Sequence, residues 1–519
     1  MTVTPLGALS ILNLRFRLRV EPMKLDTLNR LHAGTAGTDA SIAGTAGGRD
    51  VLVTISIGEI LVQLGLAPVV AVIPGLATAL GVSATDGAWI LTVFILALAG
   101  TLLVWGRLGD LVGHGTVFAW GAVIYAVGAG LAVTLEGFPV LLASRALQGV
   151  GAAMVSGNNL AILSRAIPER LQGRAIATVA TASSLAAVLG AGFGTIAIAL
   201  GAWPLLFLGP MPLAIWAAAR ARRLPVLPAD RPRVRVDWAG AGLLVAATTL
   251  LAIALNHPHG TTTEAVMPLF HVGLPGIALT AAVAFVIVER QVRVPLMDWT
   301  HLRSRTFASA IGVNTVLHLT MMSVMFLGPV LIVQGLGYSN TAGGVLMVVV
   351  QTSMVATAYF SGWLYDRTRS RWIRPGAVAI LVASFVAWAM SGVSGSYGGI
   401  MAFGLLAGLG SGVLLTVNNT VIMGSLPDEY RGVASGMLET TRHFGHAFGI
   451  TIPTAIMAVV AASVTGGAGQ ASTLRWGFFW SCLGMAALSL VGVLLTLVPS
   501  RRASGATRPF FLPRHRHLP

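Results

Sequence analysis

From about residue 51 to residue 498 the chain repeats one pattern, a long apolar stretch followed by a short break carrying glycine, proline or arginine. An α-helix needs roughly 20 apolar residues to cross the hydrocarbon core of a bilayer. A chain that meets this requirement over and over has few alternatives to an all-α polytopic membrane protein. Composition excludes the others. Only 10% of residues are charged and 55% are hydrophobic, whereas a soluble domain carries about 25% charged residues. A disordered chain needs the opposite balance, high charge and low hydrophobicity. Windows between the breaks predict fourteen spans, at 52–78, 87–105, 116–134, 139–163, 174–200, 203–219, 238–256, 270–289, 307–334, 341–363, 376–392, 397–423, 433–462 and 476–498.

The charges sort by side. Basic residues gather in the N-terminal tail, at Arg107, Arg165–Arg174, Arg220–Arg235, Arg290–Arg305, Arg367–Arg374 and Arg431, and in the C-terminal tail, Arg501–Arg516. These are alternate connections, and the intervening loops hold almost none. Of 33 basic residues, only Arg145, Arg442 and Arg475 depart from the pattern. Cytoplasmic loops collect Lys and Arg, so both termini are expected in the cytoplasm and the chain in the cell membrane. The net charge of +15 is then explained by topology, with no nucleic-acid partner. Residues 1–50 do not read as a secretory signal: their apolar stretch, Pro5–Leu14, precedes Arg15, Arg17 and Arg19 instead of following them. The single cysteine, Cys482, lies in an apolar run and reads as a small buried hydrophobe.

The chain also repeats itself at long range. Gly106-Arg-Leu-Gly-Asp110 is similar to Gly362-Trp-Leu-Tyr-Asp366, Leu147–Gly151 to Leu406–Gly410, and Pro168–Gly173 to Pro427–Gly432, at nearly constant offset. This predicts two parallel six-span halves, 51–220 and 307–498, joined by a linker with two extra spans, 221–306, and flanked by tails 1–50 and 499–519. Repeats of this kind are a transporter architecture, with the substrate site at the repeat interface near the midplane.

Three motifs carry a resemblance. Gly106-Arg107-Leu-Gly-Asp110-Leu-Val-Gly113-His114 lies in the turn between spans 2 and 3. It resembles the signature found there in the major facilitator superfamily. Gly362, Asp366 and Arg367 form its second copy. The resemblance implies a conformational gate built on Gly106, Arg107, Asp110, Gly113, Gly362, Asp366 and Arg367. His114 and Gly115 stand where the family has two basic residues, which predicts a weakened ion-pair latch. In span 4, Leu142-Ala-Ser-Arg145-Ala-Leu-Gln148-Gly149-Val-Gly151 resembles the family motif whose arginine is associated with proton coupling. In span 5, Leu189-Gly-Ala-Gly-Phe-Gly194 resembles a degenerate antiporter motif, with Ala191 at the proline position. Further matches are Trp89–Thr92, Asp237–Gly240 and Arg431–Gly436. Together, over residues 60–495, the chain is similar to the 14-span drug:proton antiporters of that superfamily, the multidrug-efflux type associated with antibiotic resistance. That resemblance implies export of lipophilic compounds against proton entry, by alternating access.

One departure matters. The family's span-1 aspartate aligns with Gly65, so the usual coupling carboxylate is missing. Glu59 in span 1 and Glu439 in span 13 are the candidates to replace it. Glu439, Arg442, His443 and His446 fall at i, i+3, i+4 and i+7, one stripe of a helix. Ionisable residues inside spans are costly and mark function by default, and histidine changes charge near neutral pH. The proton-coupling candidates are therefore Glu59, Arg145, Glu439, Arg442 and His446, with Arg145 tuning the carboxylates. Self-neutralising packing of the stripe is the competing reading. Gln148, Trp89, Asn158, Asn418 and Met322 are the candidates for the substrate cavity.

No metal or cofactor is expected. Glu439, His443 and His446 on one helix do not surround an ion. No HExxH helix, nucleotide-binding glycine loop or acidic loop pair supports a membrane-embedded enzyme. The expected partners are protons, the bilayer and a small lipophilic substrate, with the chain acting as a monomer. The alternative is an uncoupled or differently coupled carrier for a specific metabolite. Few carboxylates in the spans favour neutral or monocationic substrates over dications.

Overall fold

The computed structural model describes residues 48–224, 237–255, 269–292, 299–368, 370–427, 431–463 and 470–498. The two tails, the Arg-rich segment after Leu224 and the His257–His259 loop lie outside the described residues. Among the described residues the chain is helical, with no strand. Each predicted window overlaps helix, with 203–219 and 238–256 coinciding with segments shorter than a full span.

Span 1 is broken in two, α1 (Gly48–Val70) and α2 (Ile73–Leu80). Pro68 lies inside α1 and Pro74 opens α2, where its missing N–H costs nothing. Spans 2 to 5 are α3 (Ala84–Val112), α4 (His114–Thr134), α5 (Phe138–Ala166) and α6 (Glu169–Ala199). Ser83 caps α3, its hydroxyl accepting from the Asp86 backbone N–H. Span 6 is also interrupted, as α7 (Leu205–Leu208) and α8 (Met211–Ala221), with Gly209 and Pro210 between them. The inserted pair is α9 (Trp238–Leu255) and α10 (Leu274–Gln291). The second set is α11 (Arg305–Val330), α12 (Asn340–Thr368), α13 (Ile373–Ser394), α14 (Tyr397–Met423), α15 (Arg431–Ser463) and α16 (Gln470–Thr496). Twelve of the described helices are long and apolar enough to cross a membrane, while Leu205–Ala221 and Trp238–Ala254 are shorter apolar segments.

The packing pattern occurs twice. In the first set α3 packs on α5, α4 on α5 and α8, and α1 on α6. In the second, α12 packs on α14, α13 on α14 and α16, and α11 on α15. The sets meet through α6 against α12 and α3 against α15, while α9 and α10 pack on each other and α9 lies along α3. Phe94, Phe118, Phe207, Trp388 and Phe478 fill the interior. The flanks carry exposed large apolar side chains, among them Trp120, Leu189, Ile196, Leu279, Trp363 and Leu494. Such an outer wall suits hydrocarbon, since a water-facing monomer rarely exposes large apolar patches.

Candidate functional site

The turn from α3 into α4 depends on Gly113, whose φ of +98° is a conformation L side chains rarely adopt. Around that turn Asp110 collects three bases. Arg165 Nη2 and His114 Nε2 each lie 3.2 Å from it, and Arg107 Nη1 lies 3.6 Å away. The latch expected to be weak is thus completed by His114 and by Arg165 from α5, a residue sequence reading did not assign to it. Gly106 lets α3 approach α5, since a Cβ there would lie 3.1 Å from the Gly157 carbonyl oxygen. The second copy is looser: a Cβ at Gly362 would lie 3.4 Å from Thr416 Cγ2. Arg367 stacks over Trp363, its Cζ 5.6 Å from the ring centre. The side chain of Asp366 lies outside the described residues.

Two cavity candidates belong instead to helix packing. Asn158 is fully buried. Its Oδ1 lies 2.7 Å from His114 Nδ1, and its Nδ2 donates to the Met154 and Trp105 carbonyls at 2.8 and 3.2 Å. Asn418, also fully buried, donates from Nδ2 to the Ala310 carbonyl at 3.0 Å. Each asparagine ties a fourth-position helix to a neighbour, α5 to α3 and α14 to α11. A polar side chain buried among apolar helices must find such partners, and here they are backbone carbonyls together with the His114 ring.

Arg145 is also placed differently from the expectation. It is buried, and its Nε donates to the Ile90 carbonyl at 3.0 Å, Nη2 to the Gly65 carbonyl at 2.7 Å and Nη1 to Gln148 Oε1 at 2.6 Å. Its guanidinium lies over Phe94, 4.2 Å from the ring centre. Among the described residues no carboxylate pairs with it. Glu59 contacts α5 fourteen residues further along, at Asn159, about 21 Å away at the helical rise. Arg145 therefore does not act on Glu59 directly, and Gln148 serves it as a partner. Gly65 faces the same cluster: a Cβ there would lie 2.7 Å from Tyr125 Oη and 2.9 Å from Phe94 Cζ. The site of the missing aspartate is filled by aromatic side chains.

Glu59 itself is buried, accepting from Asn159 Nδ2 at 2.8 Å and more weakly from Ser156 Oγ at 3.4 Å. On α15 the stripe is real. Glu439 Oε2 lies 2.5 Å from Arg442 Nη2 and 3.9 Å from His443 Nε2. His446 then reaches α11, where its Nε2 lies 3.1 Å from His318 Nδ1. His318 lies 128 positions from His446, a pairing that no local sequence pattern reveals. Glu59 also acts electrostatically on Glu439, so the two carboxylates are near one another across the sets. Met322 is buried at the α11–α15 seam, where a Cβ on Gly449 would lie 2.8 Å from its own. Trp89 is half-buried near the start of α3. Among the described residues no three His, Cys, Asp or Glu side chains converge on a metal site.

Residues 55–450 match the Major Facilitator Superfamily. The riboflavin transporter RibZ of Clostridioides difficile is 25% identical over 403 residues, covering 77% of this chain and 86% of that protein. The cephamycin export protein CmcT of Amycolatopsis lactamdurans is 29% identical over 465 residues, covering 86% of this chain and 91% of that one. Among solved structures, a bacterial homologue of the human lysosomal transporter Spinster, inward-facing and unoccupied, superposes with a TM-score of 0.62 at 12% identity, over 86% of this chain and 95% of that chain. The family match spans most of the chain, and the helical bundle has the same fold as that structure. This chain belongs to the Major Facilitator Superfamily and is a membrane transporter.

Proposed function

We propose that this transporter is a proton-coupled exporter of lipophilic, antibiotic-like compounds, acting as a monomer in the plasma membrane with both termini cytoplasmic. Its fourteen segments divide into two rocking halves, α1–α8 and α11–α16, with α9 and α10 inserted between them. The repeated helix pairings support that division. The observation that carries the coupling is the ionisable stripe on α15, half-buried at Glu439 and Arg442 and buried at His443 and His446. A charged side chain in a span costs about 2.5–3.5 kcal/mol on insertion scales, so such residues persist where an ion or proton pathway needs them. Glu439 pairs with Arg442, lies near His443 and is acted on electrostatically by Glu59 from the other set. Its position between the halves suits a group loaded from one side and emptied to the other. Likeness to a cephamycin exporter supports the direction and the kind of substrate. The Asp110 latch joins the turn between α3 and α4 to α5 within the first half, which supports that half moving as one body.

The test is proton flux in inside-out vesicles carrying the protein, read by a pH-sensitive dye after lipophilic compounds are added to an imposed proton gradient. Substrate-triggered proton efflux is expected, and Glu439→Gln should abolish it. Full coupled flux in Glu439→Gln would overturn the assignment of the stripe. A second reading, an uncoupled or differently coupled carrier for one metabolite, rests on Gly65 and on the backbone-bound Arg145. It predicts substrate movement with no dye response in the unaltered protein.

A further inference from the structure

The α15 stripe continues onto a second helix, and its chemistry changes there. His318, His443 and His446 are 3%, 1% and 5% exposed. Among the described residues, both nitrogens of His443, Nδ1 of His446 and Nε2 of His318 have no hydrogen-bond partner. Each such buried polar atom costs about 1–3 kcal/mol, so apolar side chains would pack this seam at lower cost. The helices are nonetheless pressed together at this point. A Cβ on Gly445 would lie 2.8 Å from His318 Cβ and 2.7 Å from the Thr315 carbonyl oxygen. The close approach brings the imidazoles of His318 and His446 to 5.0 Å between ring centres. Their shared bond joins Nε2 of one to Nδ1 of the other. The unpartnered nitrogens, His446 Nδ1 and His318 Nε2, are the two outer ends of that pair.

We infer that His318 and His446 form a two-imidazole proton-binding site that passes the proton from α15 to α11, as the continuation of the Glu439 stripe. This inference rests on the proton-coupled reading above. The transfer balances without any other reagent. A proton binds His446 at Nδ1, and the Nε2 proton moves across the shared bond to His318 Nδ1. The bond at His446 Nε2–H breaks as the one at His318 Nδ1–H forms. His318 then releases its other proton from Nε2, and both rings end neutral. The reverse sequence returns the proton. The charged and titratable groups acting on His318 are His446, Arg442 and His443, with Glu439 next along α15 and Glu59 acting on it from α1. His443 bridges the gap, its ring 5.9 Å from that of His446 and its Nε2 3.9 Å from Glu439.

The test uses the full-length protein in vesicles. His318→Asn keeps a hydrogen-bonding amide near the Nδ1 position, and His446→Gln keeps one near Nε2, but neither group carries a proton. Both variants are expected to lose substrate-triggered proton efflux by about a hundredfold, the scale of a lost proton-transfer group. Substrate counterflow, an exchange that needs no net proton movement, should persist in both. A purely structural role would depress both readouts together. Normal proton efflux in His318→Asn, with Glu439→Gln inactive, would overturn the relay and leave the coupling reading standing. Normal efflux in Glu439→Gln as well would overturn both. Should either variant fail to reach the membrane, nitrogen-15 histidine NMR on the unaltered protein decides. A through-bond coupling between ring nitrogens of two histidines is expected, and its absence overturns the pair.

Discussion

Arg145 shows what a single residue does when its usual partner is absent. It spans three helices by donating to the Gly65 carbonyl of α1 and the Ile90 carbonyl of α3 from its own place on α5. Lysine carries the same charge but lacks the rigid fork that reaches several acceptors at once. Arg145→Lys is therefore expected to lower stability by about 1–3 kcal/mol for each carbonyl left unpaired, read as a lower melting temperature in detergent. The surviving protein should keep its proton-to-substrate ratio, because no described carboxylate depends on this guanidinium. A changed ratio with unchanged melting would restore Arg145 to the coupling machinery. At this scale the sequence shows which residue types share a helix face and does not show what they face. The stripe from Glu439 to His446 follows from helical spacing alone. The roles of Asn158 and Asn418 did not, because a buried amide looks the same in sequence whether it faces a ligand or a backbone carbonyl. His318 needed the register of two helices, which no local pattern contains.

Among the helices, the α11–α15 seam is built on glycines that have no freedom to change. A Cβ on Gly449 would press on the Leu319 carbonyl oxygen and come within 2.8 Å of Met322 Cβ. Gly436, on the same helix, has nothing within 4 Å of such a Cβ. Gly449→Ala is expected to cost about 1–3 kcal/mol by overpacking, whereas Gly436→Ala should gain about 0.5–1 kcal/mol from lower backbone entropy. Thermal melts of the two variants test this, and equal effects would mean the seam is slack. The positions of the long helices were legible because hydropathy reports apolar runs directly. The break between α7 and α8 was not assigned, although Gly209 and Pro210 mark it. Apolar composition continues through a break as easily as through a helix, so a window average conceals it.

For the whole molecule, the two sets touch where α6 meets α12. A Cβ on Gly344 would lie 2.8 Å from Thr195 Cβ, so cysteines at both positions fall within reach of a disulfide after a small separation. The one native cysteine, Cys482, is buried and will not compete. Thr195→Cys with Gly344→Cys is expected to stop export on oxidation and to recover with reductant. Continued export with complete cross-linking would mean that this contact does not open during the cycle. The long-range sequence repeat does not indicate which helices bridge the sets. Arg145 has a further consequence at this scale. A charge held by backbone carbonyls within one set keeps its depth as long as that set stays rigid, and a charge that keeps its depth does no electrical work. The membrane potential acts at about 2.3 kcal/mol per charge per 100 mV, and Arg145 would take up almost none of it. The current that accompanies turnover is then expected to arise from protons and ionised substrate, leaving Arg145 electrically silent.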